Sequence, residues 1–315
     1  MTYASFVSAE KSTTGRSNGN RPVRGLATLR RTLALATWLS PALAASWAAR
    51  LFLTPRRFPR PERERALLAT GEPLPREPGG VAAWQWGRGP TVLLVHGWEG
   101  RGAQLGAFVD PLVAAGYRVV TFDAPAHGDS PGRQATLVEF AAIIAALADR
   151  VGPLHGIVAH SFGAPGVALA FARGVEARAA VFIAPPVRME EGAQRFAELL
   201  GLTPEVRQGM RRHVARRVGM SWEEIDGEAL ARRMTTPLLV VHDRDDDEVP
   251  LAAGATLAAA WPGARLRCTA GLGHRRVLRD AGVVQAAADF FAQFSPATRV
   301  TSDLERLVDV EAVRF

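Results

Sequence analysis

The residues best suited to chemistry are a serine and a histidine set among small neighbours. Ser161 stands in AHSFG, residues 159–163. A serine at a sharp strand-to-helix turn is pushed above a sheet edge, and small flanking residues let strand and helix close on each other. The usual spacing is G-x-S-x-G; the first glycine is Ala159 here, which is still small. A serine hydroxyl is a poor nucleophile at neutral pH. It needs a histidine to take its proton and a carboxylate to fix that histidine's tautomer. Among seven histidines, His274 has the fitting place: it follows Gly-Leu-Gly, between the last expected strand and the last expected helix. His96, His127, His155, His160, His213 and His242 read as packing or turn residues. HGWEG, residues 96–100, ends an earlier strand. From it and from the serine turn, the backbone N–H groups of Trp98 and Phe162 are the candidate donors to a developing oxyanion.

These turns need a frame. Segments at 91–98, 117–125, 154–161, 177–186, 237–243 and 264–270 read as strands. Helix-like stretches separate them, and a final helix is expected over about 281–294. Strands alternating with helices imply an α/β protein with a mostly parallel sheet covered on both faces. Residues 188–234 interrupt the alternation with a long Arg/Glu-rich helical stretch, expected to stand outside the sheet as a cap. There, Phe196, Leu199, Leu200 and Met210, with Phe182 of the preceding strand, suggest an apolar pocket wall or simple packing.

The order of motifs is HGW, then DAPAHGDS with its turn at His127–Ser130, then AHSFG, HDRDDDEVP and GLGH. From residue 81 to residue 294 it resembles the α/β-hydrolase superfamily, closest to its serine aminopeptidase-like or esterase-like members. The resemblance implies the α/β-hydrolase fold with a helical cap insertion, and a triad of Ser161, His274 and an acid from VVHDRDDDEVP. The family segment puts that acid three residues before Val and four before Pro, so Val249-Pro250 select Asp246. Asp243 stands where the family pattern has glycine. The implied reaction is hydrolysis of carboxylic esters of small or medium acyl groups through an acyl-enzyme. An amide-cleaving aminopeptidase-like activity, acyl transfer, and a non-catalytic membrane-tethered scaffold are the alternatives. No cofactor is implied. The run Asp243, Asp245, Asp246, Asp247 lacks the alternating spacing of a calcium loop, so no metal is expected.

Charge divides the chain. Residues 1–65 hold 12 basic and 3 acidic side chains, whereas the rest holds 26 and 28. The body therefore lacks the basic excess of a nucleic-acid binder. One cysteine, Cys268, allows no intramolecular disulfide. Residues 1–23 read as a disordered tail, and 296–315 as a C-terminal tail. Residues 24–53 form an apolar helix or hairpin, 54–80 a Pro/Arg-rich linker, and 81–295 the catalytic domain. From Thr32 to Ala49 no residue is charged, which sits at the lower limit for a membrane span, but Pro41 interrupts the run. The segment is expected to pack on the domain, with peripheral contact to an anionic membrane as the second reading. The expected location is cytoplasmic, with membrane association or export as alternatives.

Overall fold

The computed structural model describes residues 24–76 and 80–295; the expected tails at 1–23 and 296–315 lie outside these. Its centre is a sheet of eight strands: β1 (Glu72–Pro73), β2 (Ala83–Trp86), β3 (Thr91–Val95), β4 (Arg118–Phe122), β5 (Leu154–His160), β6 (Ala177–Ile183), β7 (Leu238–Asp243) and β8 (Arg265–Thr269). Their order is β1-β2-β4-β3-β5-β6-β7-β8. β2 runs antiparallel to β1 and β4, and every pairing from β4 to β8 is parallel. Alternation along the strands sorts side chains onto two faces. Leu93, Val95, Val120, Phe122 and Ile157 enter one core, and Val92, Leu94, Val119 and Val158 enter the other. That period of two, apolar at both phases, marks a sheet buried on both sides.

Residues 24–52 form two helices, α1 (Arg24–Leu39) and α2 (Pro41–Phe52). Pro41 has no N–H to donate, so it ends α1 and suits the first turn of α2. Ser40 caps α2 by accepting the N–H of Leu43. No helix of the described residues is long and apolar enough to cross a membrane.

The stretch 54–80 departs from the expected linker. It contains α3 (Glu62–Thr70) and β1. Its prolines bracket these elements: Pro61 is the N-cap of α3, and Pro73 sits on an edge strand, where a missing N–H costs little. Its arginines find fixed acceptors. Arg57 donates to the carbonyls of Ala126, Gly128, Ser130 and Gly132, and Arg60 pairs with the buried Asp123. Glu64 pairs with Arg101, and both are buried. Removing one partner of a buried pair strands the other charge in a poor solvent. Glu64→Ala is expected to cost about 3–5 kcal/mol of stability in urea denaturation; a loss below about 1 kcal/mol would put the pair in the class of solvated surface bridges.

The remaining helices complete the layers. α4 (Val109–Ala114) and α12 (Ala281–Ala292) cover one face, and α5 (Leu137–Val151), α6 (Gly163–Ala172) and α10 (Leu251–Ala260) cover the other. α11 (Gly273–Arg276) is a single turn. The cap consists of α7 (Met189–Leu200), α8 (Pro204–Val218) and the short α9 (Gly227–Ala231), all outside the sheet. The N-terminal hairpin joins it. Ala44, Ala45, Ala48 and Ala49 of α2 are buried against Val206, Met210 and Val214 of α8 and Ala193 and Ala197 of α7. Alanine lets the helices approach closely: a Cβ on Gly209 would lie 2.6 Å from Ala45 Cβ.

Candidate active site

The strand order reverses at β3, which has β4 on one side and β5 on the other. Loops leaving the carboxyl ends of β3 and β5 therefore diverge and leave a crevice. Ser161 follows β5 there, and Gly97 follows β3. A Cβ on Gly97 would lie 2.9 Å from Ser161 Cβ, so this approach requires glycine. Gly163 is constrained likewise, since its Cβ would lie 2.6 Å from the His96 carbonyl oxygen. Ser161 itself has φ +49°, a left-handed conformation that serine rarely adopts. It is held because its N–H donates to Ile183 O at 2.9 Å and its carbonyl accepts from Ala164 N–H at 2.9 Å. The other non-glycine residues with positive φ among those described are Glu99, Ala126 and Ala184. They follow the carboxyl ends of β3, β4 and β6. All four lie at the carboxyl edge of the sheet, and Glu99 and Ser161 line one cavity there, which is where functional sites store strain.

β7 and β8 deliver the other groups. His274 is buried in α11, with Nδ1 2.8 Å from Asp246 Oδ2. Asp246 Oδ1 accepts the N–H groups of Glu248 and Val249 at 2.9 and 2.8 Å, which fixes the carboxylate plane. Burial acts to raise the Asp246 pKa. Hydrogen bonds from His242 and His274, the His274 charge and the Val249 N–H outweigh it and hold the carboxyl well below its ordinary range. An ionised Asp246 keeps the proton on His274 Nδ1 and leaves the lone pair on Nε2. Asp245 and Asp247, the neighbours in the acidic run, are exposed. Ser161 and His274 both line one cavity of about 830 Å³, with Trp98 and Phe162 beside them. Among the described residues, neither the Trp98 nor the Phe162 N–H donates to a backbone carbonyl. Phe196, Leu199 and Leu200 line the same cavity, whereas Phe182 and Met210 are buried in core clusters.

Two contributors were not singled out by the sequence reading. Asp243 holds the loop that carries His274: its carboxylate accepts from Thr269 Oγ1 at 2.6 Å and from the N–H groups of Asp245, Leu272 and Gly273 at 3.0, 3.2 and 2.9 Å. The only signal was its position, where the resembling pattern has glycine. His160 lies beside the site, its ring centroid 4.7 Å from that of His274 at a tilt of 47°, and its Nε2 bonds the His274 carbonyl at 3.0 Å.

The turn histidines brace the loops as neutral rings. His96 Nε2 accepts from Ala124 N–H at 2.9 Å, and His127 Nε2 accepts from Glu99 N–H at 3.0 Å. Each Nδ1 donates to a carbonyl, of Gly97 and Pro125 respectively. Protonation would turn both acceptors into donors facing N–H groups. Burial is the main cause that lowers His96 to about 4, and burial with the neighbouring His96 lowers His127 to about 3. The unfolded chain binds these protons near pH 6.5, so stability is full above that pH and is lost as pH falls toward 4. By pH 5 the loss is expected to be about 2 kcal/mol per histidine. A melting temperature that stays flat from pH 7 to 5 would contradict this.

Comparisons with known proteins agree with this fold. A sequence profile described as the alpha/beta hydrolase family matches residues 92–287. No curated protein matches in sequence. Among solved structures, ferulic acid-bound Est1E from Butyrivibrio proteoclasticus is 22% identical, covers 68% of this chain and 96% of its own, and has a TM-score of 0.55. A monoacylglycerol lipase from Paleococcus ferrophilus is 20% identical over 68% of this chain and 99% of its own, with a TM-score of 0.55. A bromoperoxidase from Bacillus anthracis is 17% identical over 68% and 96%, with a TM-score of 0.52. At these identities the likeness is one of fold.

Proposed function

Because the chain belongs to the alpha/beta hydrolase family, we propose that it is a serine hydrolase that cleaves carboxylic esters through an acyl-enzyme on Ser161. The observation that carries the reading is the bond from His274 Nδ1 to the buried Asp246, in a cavity that the strained Ser161 also lines. In this reaction His274 Nε2 takes the Ser161 proton as Oγ attacks the ester carbonyl carbon. The carbonyl electron pair moves onto oxygen, where the N–H groups of Trp98 and Phe162 receive it. Collapse breaks the bond to the alcohol, which takes the proton from His274. Water then enters by the same steps and releases the acid.

Charge favours an ester over the amide of a free amino terminus. A substrate ammonium needs an unengaged carboxylate, and the acidic groups of the cavity have partners. Glu64 is held by Arg101, and Glu248 by Arg275 at 2.9 Å. Glu99 accepts from Arg56 N–H, and burial raises its pKa, which weakens it as an anion. Phe52, Phe196, Leu199 and Trp222 provide apolar walls for an acyl group. A cavity of this size holds a small to medium ligand.

A fluorophosphonate probe should label the folded protein on Ser161, and p-nitrophenyl butyrate should exceed aminoacyl amides in kcat/KM. Labelling that persists in Ser161→Ala would remove the nucleophile assignment. Faster amide cleavage would instead move the activity to the aminopeptidase-like alternative.

A further inference from the structure

The most exposed large apolar side chains of the described residues gather at one place. Trp38 is 78% exposed, Leu43 70%, Leu39 67% and Leu35 56%. They bracket Ser40, where α1 gives way to α2. Leu35, Trp38 and Leu39 are spaced i, i+3, i+4 and so share a face of α1, while Leu43 lies in the first turn of α2. The inner side of the hairpin is satisfied by its alanine packing on the cap. The tip is not, and a contiguous apolar patch of this kind marks a contact surface.

Charge identifies the contact. No acidic residue occurs between Glu10 and Glu62, a stretch that holds Lys11 and nine arginines, of which Arg57 and Arg60 are engaged within the fold. On the hairpin itself Arg30, Arg31 and Arg50 are exposed; Arg30 Nε donates to the Leu199 carbonyl at 2.7 Å, so Arg31 and Arg50 are the arginines that face the surface most freely. At 1.5 Å per residue they lie about 12–15 Å along the helices from the tip. An apolar wedge with a basic collar at that distance matches an element that enters the headgroup and upper acyl region by about 5–10 Å, with arginines reaching the lipid phosphates. The α1–α2 break at Pro41 rules out a continuous span and leaves insertion of the tip.

The same hairpin faces the cavity. Leu26 and Leu29 of α1 and Leu51 and Phe52 of α2 line the space shared by Ser161 and His274. The geometry points to a hairpin whose tip inserts into an anionic lipid surface and whose base forms a wall of the cavity, so that the ester substrate is drawn from that surface. The docking stands on the exposed tip and its charge alone. Only the substrate half rests on the proposed hydrolase reaction.

The test is co-sedimentation of the full chain with phosphatidylcholine vesicles, with and without phosphatidylglycerol. Ser161→Ala carries the binding measurement, so that turnover plays no part. Binding is expected to the phosphatidylglycerol vesicles, to weaken with salt, and to fall at least about tenfold when Trp38, Leu39 and Leu43 are all replaced by serine. That triple variant should keep the wild-type melting temperature and rate on soluble p-nitrophenyl butyrate, because its altered residues are exposed. Rates on an ester embedded in the vesicles should fall with binding. Absence of binding to anionic vesicles, or equal binding by the triple variant, overturns the docking. So does a concentration-dependent dimer that the triple variant dissolves, which would assign the tip to a second copy. Vesicle binding that appears only after deletion of residues 1–23 also overturns it, since that segment would then be the occupant. Intact binding with no esterase activity in the wild type would instead defeat the hydrolase reading and the substrate half, leaving the docking in place.

Discussion

Ser161→Ala is expected to lower kcat on a p-nitrophenyl ester by about 10⁶-fold while KM stays within a few-fold. The hydroxyl contributes only to the covalent step. The apolar cavity that binds the acyl group keeps Phe52, Phe196 and Leu199 in the variant. The proposed oxyanion donors, of Trp98 and Phe162, are backbone N–H groups, which the substitution does not remove, so a residual acceleration of about 10³–10⁴ over water should remain. The strained turn also remains. Its left-handed φ is set by the Ser161 N–H bond to Ile183 and by the close passage of Gly97 and Gly163, and none of these uses the hydroxyl. The melting temperature should therefore move by no more than a few degrees. A loss in kcat of less than about 100-fold would mean that another group supplies the nucleophile.

How much of this was legible beforehand depended on how local each signal was. β3 to β7 are largely apolar runs closed by glycine, proline or charged residues, and their alternation with helices gave the parallel sheet; β8, RLRCT, is mostly exposed and was placed by that alternation. β2 is only AWQW and β1 only two residues, too short to show a period. Both are antiparallel additions whose place is set by pairing with β4 and with each other. α3 was hidden by prolines that flank it without entering it. In the candidate site, Ser161 and His274 could be singled out because each sits in a small-residue turn whose geometry is encoded within five residues. Asp246 needed the register supplied by Val249-Pro250. Asp243 could not be read, because the N–H groups of Leu272 and Gly273 that it receives come from nearly thirty residues away, brought near only by the pairing of β7 with β8. The alanine-rich run near residue 40 carried two meanings at once. Ala44, Ala45, Ala48 and Ala49 pack on the cap and Leu35, Trp38, Leu39 and Leu43 do not, and composition alone does not separate those faces.

Asp246→Asn is expected to lower kcat about 10⁴-fold with little change in KM. The backbone contacts of Oδ1 with Glu248 and Val249 survive, because asparagine keeps an oxygen there. The change falls on the other atom. An amide NH2 in place of Oδ2 faces His274 Nδ1 and donates to it, so the ring proton moves to Nε2. Nε2 then has no lone pair for the Ser161 proton, and the nucleophile is not activated. Stability should change little, since one hydrogen bond is exchanged for another. Asp245→Asn and Asp247→Asn alter exposed carboxylates and should each cost less than about tenfold, or 1.4 kcal/mol of barrier. Asp243→Asn gives the informative contrast. Its two oxygens accept four donors, so an NH2 group there meets either the Thr269 hydroxyl and Leu272 N–H or the Asp245 and Gly273 N–H groups. The loop that carries His274 is then loosened, and the melting temperature should fall together with kcat. A carboxylate that sets the tautomer damages rate alone, and one that holds the loop damages rate and stability together. If Asp246→Asn stays active while Asp245→Asn or Asp243→Asn is the variant that loses kcat at unchanged stability, the acid partner of His274 has been misassigned.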